Sequence, residues 1–439
     1  MKNIYVLLGS LLLITACSSD LDQAPPNIAS AESLTNFTEV LNAAYFYQHA
    51  SVTPMAVMGD FRADNALMDE EPYPAFDRYN SDLFDGTLNE QFFRPLYSAL
   101  YKSILSSNNV ITNSENENDV AQAKFLRALS YFKLVQMFGD VTVNLSAEPS
   151  TTDTSILVRQ PANEVYNDVI VPDLQDAIAV LDNSGLASGR ASLIAAQGLL
   201  GKVYVHMGNF NLAEPSLADV VSGAPGAGIS LQSDFANIFG GENDLNSEII
   251  FSTQISGSVP DEYGFSEFWE WSFGLDTKSL DPLDPSLIAA FDASEAGGDT
   301  DLRRAITIDE MTSASPKFQQ AGGAEQDFIE MRLADVILLY AEALNENSNT
   351  PAAIIELNKI RNRAGLPNTT ATTQAAVRTA IANERRLELA FEGHRWFDLV
   401  RTGTATTVLG FSDTNYYLAP IPISEVTSSF GIITQNPGY

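Results

Sequence analysis

The chain has 439 residues, with 56 acidic against 24 basic side chains, a formal charge of −32 and a single cysteine. Such a charge repels phosphate backbones and anionic lipid surfaces, which argues against nucleic acid as a partner. A strongly anionic polysaccharide is disfavoured for the same reason unless a local basic pocket overrides the net charge. At 45% apolar residues the chain can bury a substantial core, and one cysteine excludes an internal disulfide.

In chain order, Lys2 supplies a positive start and Tyr5 to Ile14 a short apolar run, too short to span a membrane, so residues 1–16 read as a secretory signal. The run ends in Ile14-Thr15-Ala16-Cys17, which resembles a bacterial lipobox and implies that cleavage leaves Cys17 as a lipidated first residue. Cleavage removes Lys2 and no acid, so the charge of −32 becomes −33. An ordinary signal peptide with a chance cysteine is the plainer reading. Residues 17–33, containing Pro25 and Pro26, read as a tether, and Ser18-Ser19-Asp20-Leu21-Asp22 resembles the acidic export tags of surface lipoproteins in Bacteroidetes.

The remainder, 34–439, reads as a mostly α domain. Three-to-four spacing of apolar residues predicts helices over Gln91–Asn109, Val120–Phe138, Ala162–Leu181, Ser192–Met207, Phe328–Asn345, Pro351–Ala364 and Gln374–Val400. Gly139 and Gly208 supply stops. Leu200-Gly201, Tyr204, Gly208, Phe210, Ala213 and Pro225 fit a tetratricopeptide unit, although Gln197 and Leu217 replace its Trp and Phe. A weaker helix pair runs from Ile337 to Ile360. Glu248–Gln254 reads as a short strand, within a loop-rich insertion, 223–326, between helical scaffolds at 34–222 and 327–439. Another loop-rich block covers Val57–Leu88. Long irregular segments in a helical protein carry function more often than not.

Glu384–Arg401, ERRLELAFEGHRWFDLVR, crowds acids, bases and an aromatic together. On one helix, Glu388 with Glu392 and His394 with Asp398 lie four apart, and Glu392 with Arg395 three apart. Only one His is present and HExxH is absent, so neither a metal nor a catalytic residue is assigned here; ion pairing within a scaffold is the expectation.

The same stretch with Thr402-Gly403 resembles the signature helix of the SusD/RagB family of nutrient-binding outer-membrane lipoproteins. The resemblance extends to Lys124–Thr142, Met331–Glu346, Ile355–Pro367, Leu418–Val426 and the ending Gln435–Tyr439. It implies a tetratricopeptide-like scaffold with no cofactor and no catalysis. It also implies capture of oligosaccharides, expected to be neutral, at the cell surface, and a role as lid on a SusC-like TonB-dependent transporter. Ligand residues of that family come from variable loops, so the site must be sought in this chain. Tyr263, Phe265, Trp269, Trp271 and Phe273, if extended, share one side with Glu267, a pattern that suits a sugar-stacking face and equally an aromatic face packed into the core. Asp64, Asn65, Tyr73, Phe76, Asp77, Arg78, Tyr79 and Asn80 form the second candidate, for carbohydrate or for the transporter. A surface glycoside hydrolase, with a carboxylate pair drawn from 56 acids, and an assembly lipoprotein gripping other proteins are the rival readings.

Overall fold

The structure, a computed structural model, describes residues 36–256, 283–318 and 326–439; Cys17, Tyr263, Trp269 and Trp271 lie outside them. The longer helices are α1 (Phe37–Phe46), α2 (Arg94–Asn113), α3 (Glu117–Phe138), α4 (Val171–Val180), α5 (Leu193–His206), α6 (Phe210–Gly223) and α7 (Pro285–Ser294). They continue as α8 (Leu333–Glu346), α9 (Thr350–Arg363), α10 (Gln374–Glu388) and the short α11 (Arg395–Arg401). Strands are few: β1 (Val141–Thr142) pairs antiparallel with β2 (Arg159–Gln160), and β3 (Ile249–Thr253) with β4 (Phe328–Arg332).

Neighbouring helices pack as antiparallel pairs, α2 on α3, α5 on α6 and α8 on α9, and α6 packs on α8 to join two of them. The tetratricopeptide-like match at 200–225 is the α5–α6 pair. A Cβ on Gly201 would lie 2.5 Å from Leu217 Cδ2, so the small residue is what lets α6 seat its buried Leu217 against α5. Ala213 is likewise wholly buried. Gly208 turns the chain between them at φ 69°, and Gly139 ends α3 at φ 73°, conformations that cost other residues more.

Two predicted helices end differently. Phe328–Arg332 is a strand, because its backbone pairs with Ile249–Thr253 in the register Thr253↔Phe328 to Ile249↔Arg332; its apolar run satisfied either period. The long helix predicted to Val400 breaks after Glu388. Phe391 and Gly393 adopt φ 66° and 80°, and the Asp60 carboxylate accepts from the backbone N–H of both. Gly59 packs so close to Gly393 that a Cβ would fall 2.2 Å from the Gly393 carbonyl carbon. Contact between segments more than 300 residues apart therefore overrides local helix preference. The block 57–88, read as loop-rich, is irregular chain joining short helical turns, and it sends Phe61, Phe76, Leu83 and Leu88 fully into the interior.

Candidate functional site

The crowded 384–401 stretch forms the middle of a buried ion network. Arg332 donates to Glu248 (2.8 Å), Glu388 (2.6 Å) and Glu392 (2.7 Å), Arg303 to Asp301 and Glu384, and Lys317 to Glu392. Burial alone would raise the Glu388 carboxyl, but Arg363, Arg332 and Arg303 hold it well below its ordinary value; Arg385 and Arg401 do the same to Asp398. His394 is pushed down to about 4 by burial and by Lys202, so its imidazole is neutral. A cavity of about 50 Å³, room for a few waters, adjoins this network, and its charged walls are paired, Lys133 with Glu330 and Arg385 with Asp398. These carboxylates are saturated by cations.

Other acids are under-compensated. Burial, with Asp284 nearby, pushes Asp77 up to about 8, and burial with Asp327 pushes Asp244 up to about 7. The signs oppose. Asp77 and Asp244 bind protons more tightly folded than unfolded, so they add stability as pH falls from about 8 toward 4, whereas the depressed Glu388 and Asp398 lose theirs only in stronger acid. Self-repulsion of the −32 chain acts in the same direction as the first pair. Thermal unfolding is expected at a higher temperature at about pH 5.5 than at pH 8, collapsing below about pH 3. An equal or higher midpoint at pH 8 would contradict the assignment.

Three of the sequence-picked loop residues prove to be interior, Phe76 with no exposure among them. Asn65 is fully buried with its side-chain amide on Asp60 Oδ1 (2.7 Å), and Tyr73 is 5% exposed with its hydroxyl on Gln91. None of the three presents a face to a sugar. Asp64 is chelated by Arg395 (2.7 and 2.9 Å) and paired with Arg386. Tyr79 stacks on Phe411 at 4.3 Å and on Trp396 at 5.8 Å, and its hydroxyl donates to the Arg62 carbonyl. The polar–aromatic mixture of this block serves packing: the backbone carbonyls of Asp64 and Asn65 accept from Ser286 Oγ and the Asp284 N–H, which secures the chain where it re-emerges from 257–282.

The other end of that segment leaves from an open groove of about 230 Å³ lined by Asn42, Tyr45, Phe46, Arg190, Phe251 and Gln254, among others. Phe251 is its buried floor, in β3, while Tyr45 and Phe46 stand half-buried at the end of α1. His49 Nε2 contacts the Gln254 carbonyl at 2.7 Å and so ties α1's continuation to the end of β3. Burial pushes the Tyr45 phenol up to about 12, so it keeps its proton. It donates to Gln122 Oε1 (2.8 Å) and accepts from the Ala191 N–H (2.9 Å). Arg190 lies over the Tyr45 ring at 4.2 Å. Its Nε donates to Gln122 Oε1 and its Nη1 to Asn42 Oδ1. Aromatic faces beside fixed amides and a guanidinium suit a polyhydroxylated ligand, whose C–H face stacks while its hydroxyls exchange hydrogen bonds. At 230 Å³ the groove is smaller than the roughly 300–1,000 Å³ of enclosing pockets and holds part of a ligand. Sequence reasoning passed over these residues. The run Tyr45-Phe46-Tyr47 was the only local signal; Arg190 joins it from 145 positions away, through tertiary packing alone.

Two family descriptions match the chain: "SusD family" over residues 302–413 and "Starch-binding associating with outer membrane" over 17–205. A SusD-like protein of Formosa agariphila is 26% identical, covering all of both chains. The starch-binding protein SusD of Bacteroides thetaiotaomicron is 24% identical over 77% of this chain and 76% of its own. Among solved structures, a laminarin-binding SusD-like protein superposes with a TM-score of 0.69 at 27% identity, covering 92% of this chain and 99% of that one. Surface glycan-binding protein A of Bacteroides fluxus superposes at 0.74 with 22% identity, over 92% and 99%, a likeness of fold. With the helical scaffold and the sequence blocks from Lys124 to Tyr439, these matches establish that the chain belongs to the SusD-like family.

Proposed function

We propose that this protein captures oligosaccharides at the outer membrane, tethered through Cys17, and serves as a lid on a SusC-like TonB-dependent transporter. The observation that carries the reading is the groove of Tyr45, Phe46, Arg190 and Gln254 on a SusD-like scaffold. Relatives named for starch and laminarin support the ligand class. Gln254 belongs to the groove wall, and the chain it starts runs on to Tyr263, Trp269 and Trp271, the proposed stacking residues. Relatives named as binding proteins support a reading of binding without catalysis.

Calorimetric titration with glucan, mannan and xylan oligosaccharides tests it. Each aromatic–sugar contact is worth roughly 1–2 kcal/mol, so Phe46→Ala should weaken binding by about five- to thirtyfold, and the Trp269→Ala/Trp271→Ala double variant by about ten- to several-hundredfold, at unchanged melting temperature. Binding by neither parent nor variant to any glycan sinks the proposal. Release of new reducing ends would replace it with the hydrolase. Co-purification of a large β-barrel with the parent, lost from the membrane fraction in Cys17→Ser, supports anchor and lid; periplasmic assembly partners instead would refute the lid.

A further inference from the structure

Arg190 is held unlike the other described arginines. Arg127, Arg303, Arg332, Arg385 and Arg401 all meet buried or half-buried carboxylates. Arg62 and Arg159 lack a carboxylate but give their N–H groups to backbone carbonyls, Arg62 to Phe76 and Tyr416, Arg159 to Asp140, Phe138 and Thr434. Arg190 has neither arrangement. Its guanidinium is propped by two neutral side-chain amides, Gln122 at 2.9 Å and Asn42 at 2.6 Å, and stacks on Tyr45 at 4.2 Å. Its Nη2 has no acceptor among the described residues, and none of the groove's described lining is acidic.

This costs something. In a chain with 56 acids, a cation at an open groove with no carboxylate partner among the described residues forgoes the easiest one. Amide acceptors fix the guanidinium's plane without neutralising it, and stacking on the phenol ring pre-orders it and thins its hydration. The remaining N–H edge is set up to donate to two oxygens of one anion, the geometry in which arginine exceeds lysine.

We propose that the groove recognises glycans bearing an anionic substituent, a uronate carboxylate or a sulfate ester, and that Arg190 reads that substituent. The inference rests on the glycan-binding reading and narrows it. The net charge does not forbid it. At physiological salt the screening length is about 8 Å, so most of the chain's acids are hidden from a contact made at hydrogen-bond distance. The distant charge slows encounter; the local fork holds what arrives.

The test is calorimetric titration of the full chain with three matched oligosaccharide sets: neutral, uronate-bearing and sulfated. The parent should bind at least one acidic set more tightly than the neutral one, with affinity falling as salt rises, a readout that needs no variant. Arg190→Met, which keeps the stem over Tyr45, should weaken acidic ligands by about ten- to hundredfold and neutral ones, which lose only a hydroxyl contact, by about two- to fivefold. Arg190→Lys should recover part of the loss, because charge returns without the fork. Preference for uronate or for sulfate separates the two sources. A neutral glycan bound as tightly as its acidic counterparts, with no salt dependence, overturns the anionic reading and leaves glycan capture intact. Equal loss of neutral and acidic ligands in Arg190→Met assigns Arg190 to holding Tyr45 and overturns it as well. No binding to any set overturns both.

Discussion

Glu388→Ala is expected to cost about 3–5 kcal/mol of folding stability, the loss typical when one partner leaves a buried ion pair. Glu388 is fully buried and accepts from Arg303 at 3.1 Å, Arg332 at 2.6 Å and Arg363. Removing it strands three guanidinium groups, of which Arg303 and Arg332 have no solvent exposure at all. Glu384, Glu392, Asp301 and Glu248 still compensate part of that charge, so the loss stops short of three bare cations. It is nonetheless a large fraction of the roughly 5–15 kcal/mol that keeps a protein folded. Glu388→Gln preserves volume and one acceptor, and should lose less. Urea unfolding with unchanged m-values measures both; a cost below about 1 kcal/mol for the alanine variant would show that neighbouring carboxylates already satisfy the site.

That network explains which parts of the molecule were legible in the sequence. Helices α6 and α9 announce themselves because each buries one stripe, visible as periodicity, whereas α3, α5 and α8 are buried nearly all round and show as long, mostly apolar runs. The α5–α6 unit was readable at the level of single residues, since Gly201 and Ala213 are small for a reason of close approach. Failure came where distant chain sets local form. The break between α10 and α11 depends on Asp60 and Gly59, and the strand at Phe328–Arg332 depends on Ile249–Thr253. Within 384–401, ion pairing was the correct expectation but the pairs were not: Asp398 meets Arg385 across the break (2.8 Å), and Glu388 and Glu392 converge on Arg332. At 64–80 composition does not reveal that Asn65, Tyr73 and Phe76 are buried. Polar and aromatic residues mixed in a non-periodic segment look like a ligand surface, and here the same mixture lets irregular backbone be buried with its hydrogen bonds satisfied, Asn65 on Asp60 and Tyr79 on the Arg62 carbonyl. The groove has the opposite character. Its parts come from α1, from the turn before α5 and from the end of β3, so no window of sequence contains it.

Trp396→Ala is expected to cost about 3–5 kcal/mol while leaving glycan affinity unchanged in the folded fraction. Trp396 is 1% exposed and is the hub of an aromatic stack: Tyr79 lies parallel at 5.8 Å, Phe411 at 6.3 Å, and Tyr417 edge-on at 6.4 Å. Arg62 covers its ring at 4.6 Å. That guanidinium is itself fully buried without a carboxylate, hydrogen-bonded to the carbonyls of Phe76 and Tyr416. Truncation therefore removes two things at once, the volume of an indole and the π face that helps keep a buried cation acceptable. Trp396→Phe restores a face and most of the volume and should recover more than half of the loss. None of the groove's residues Asn42, Tyr45, Phe46, Arg190 or Gln254 takes part in this stack. Urea unfolding beside calorimetric titration separates the roles. A variant with parental stability that no longer binds oligosaccharide would place the ligand at Trp396 and Tyr79, and would move the site away from α1.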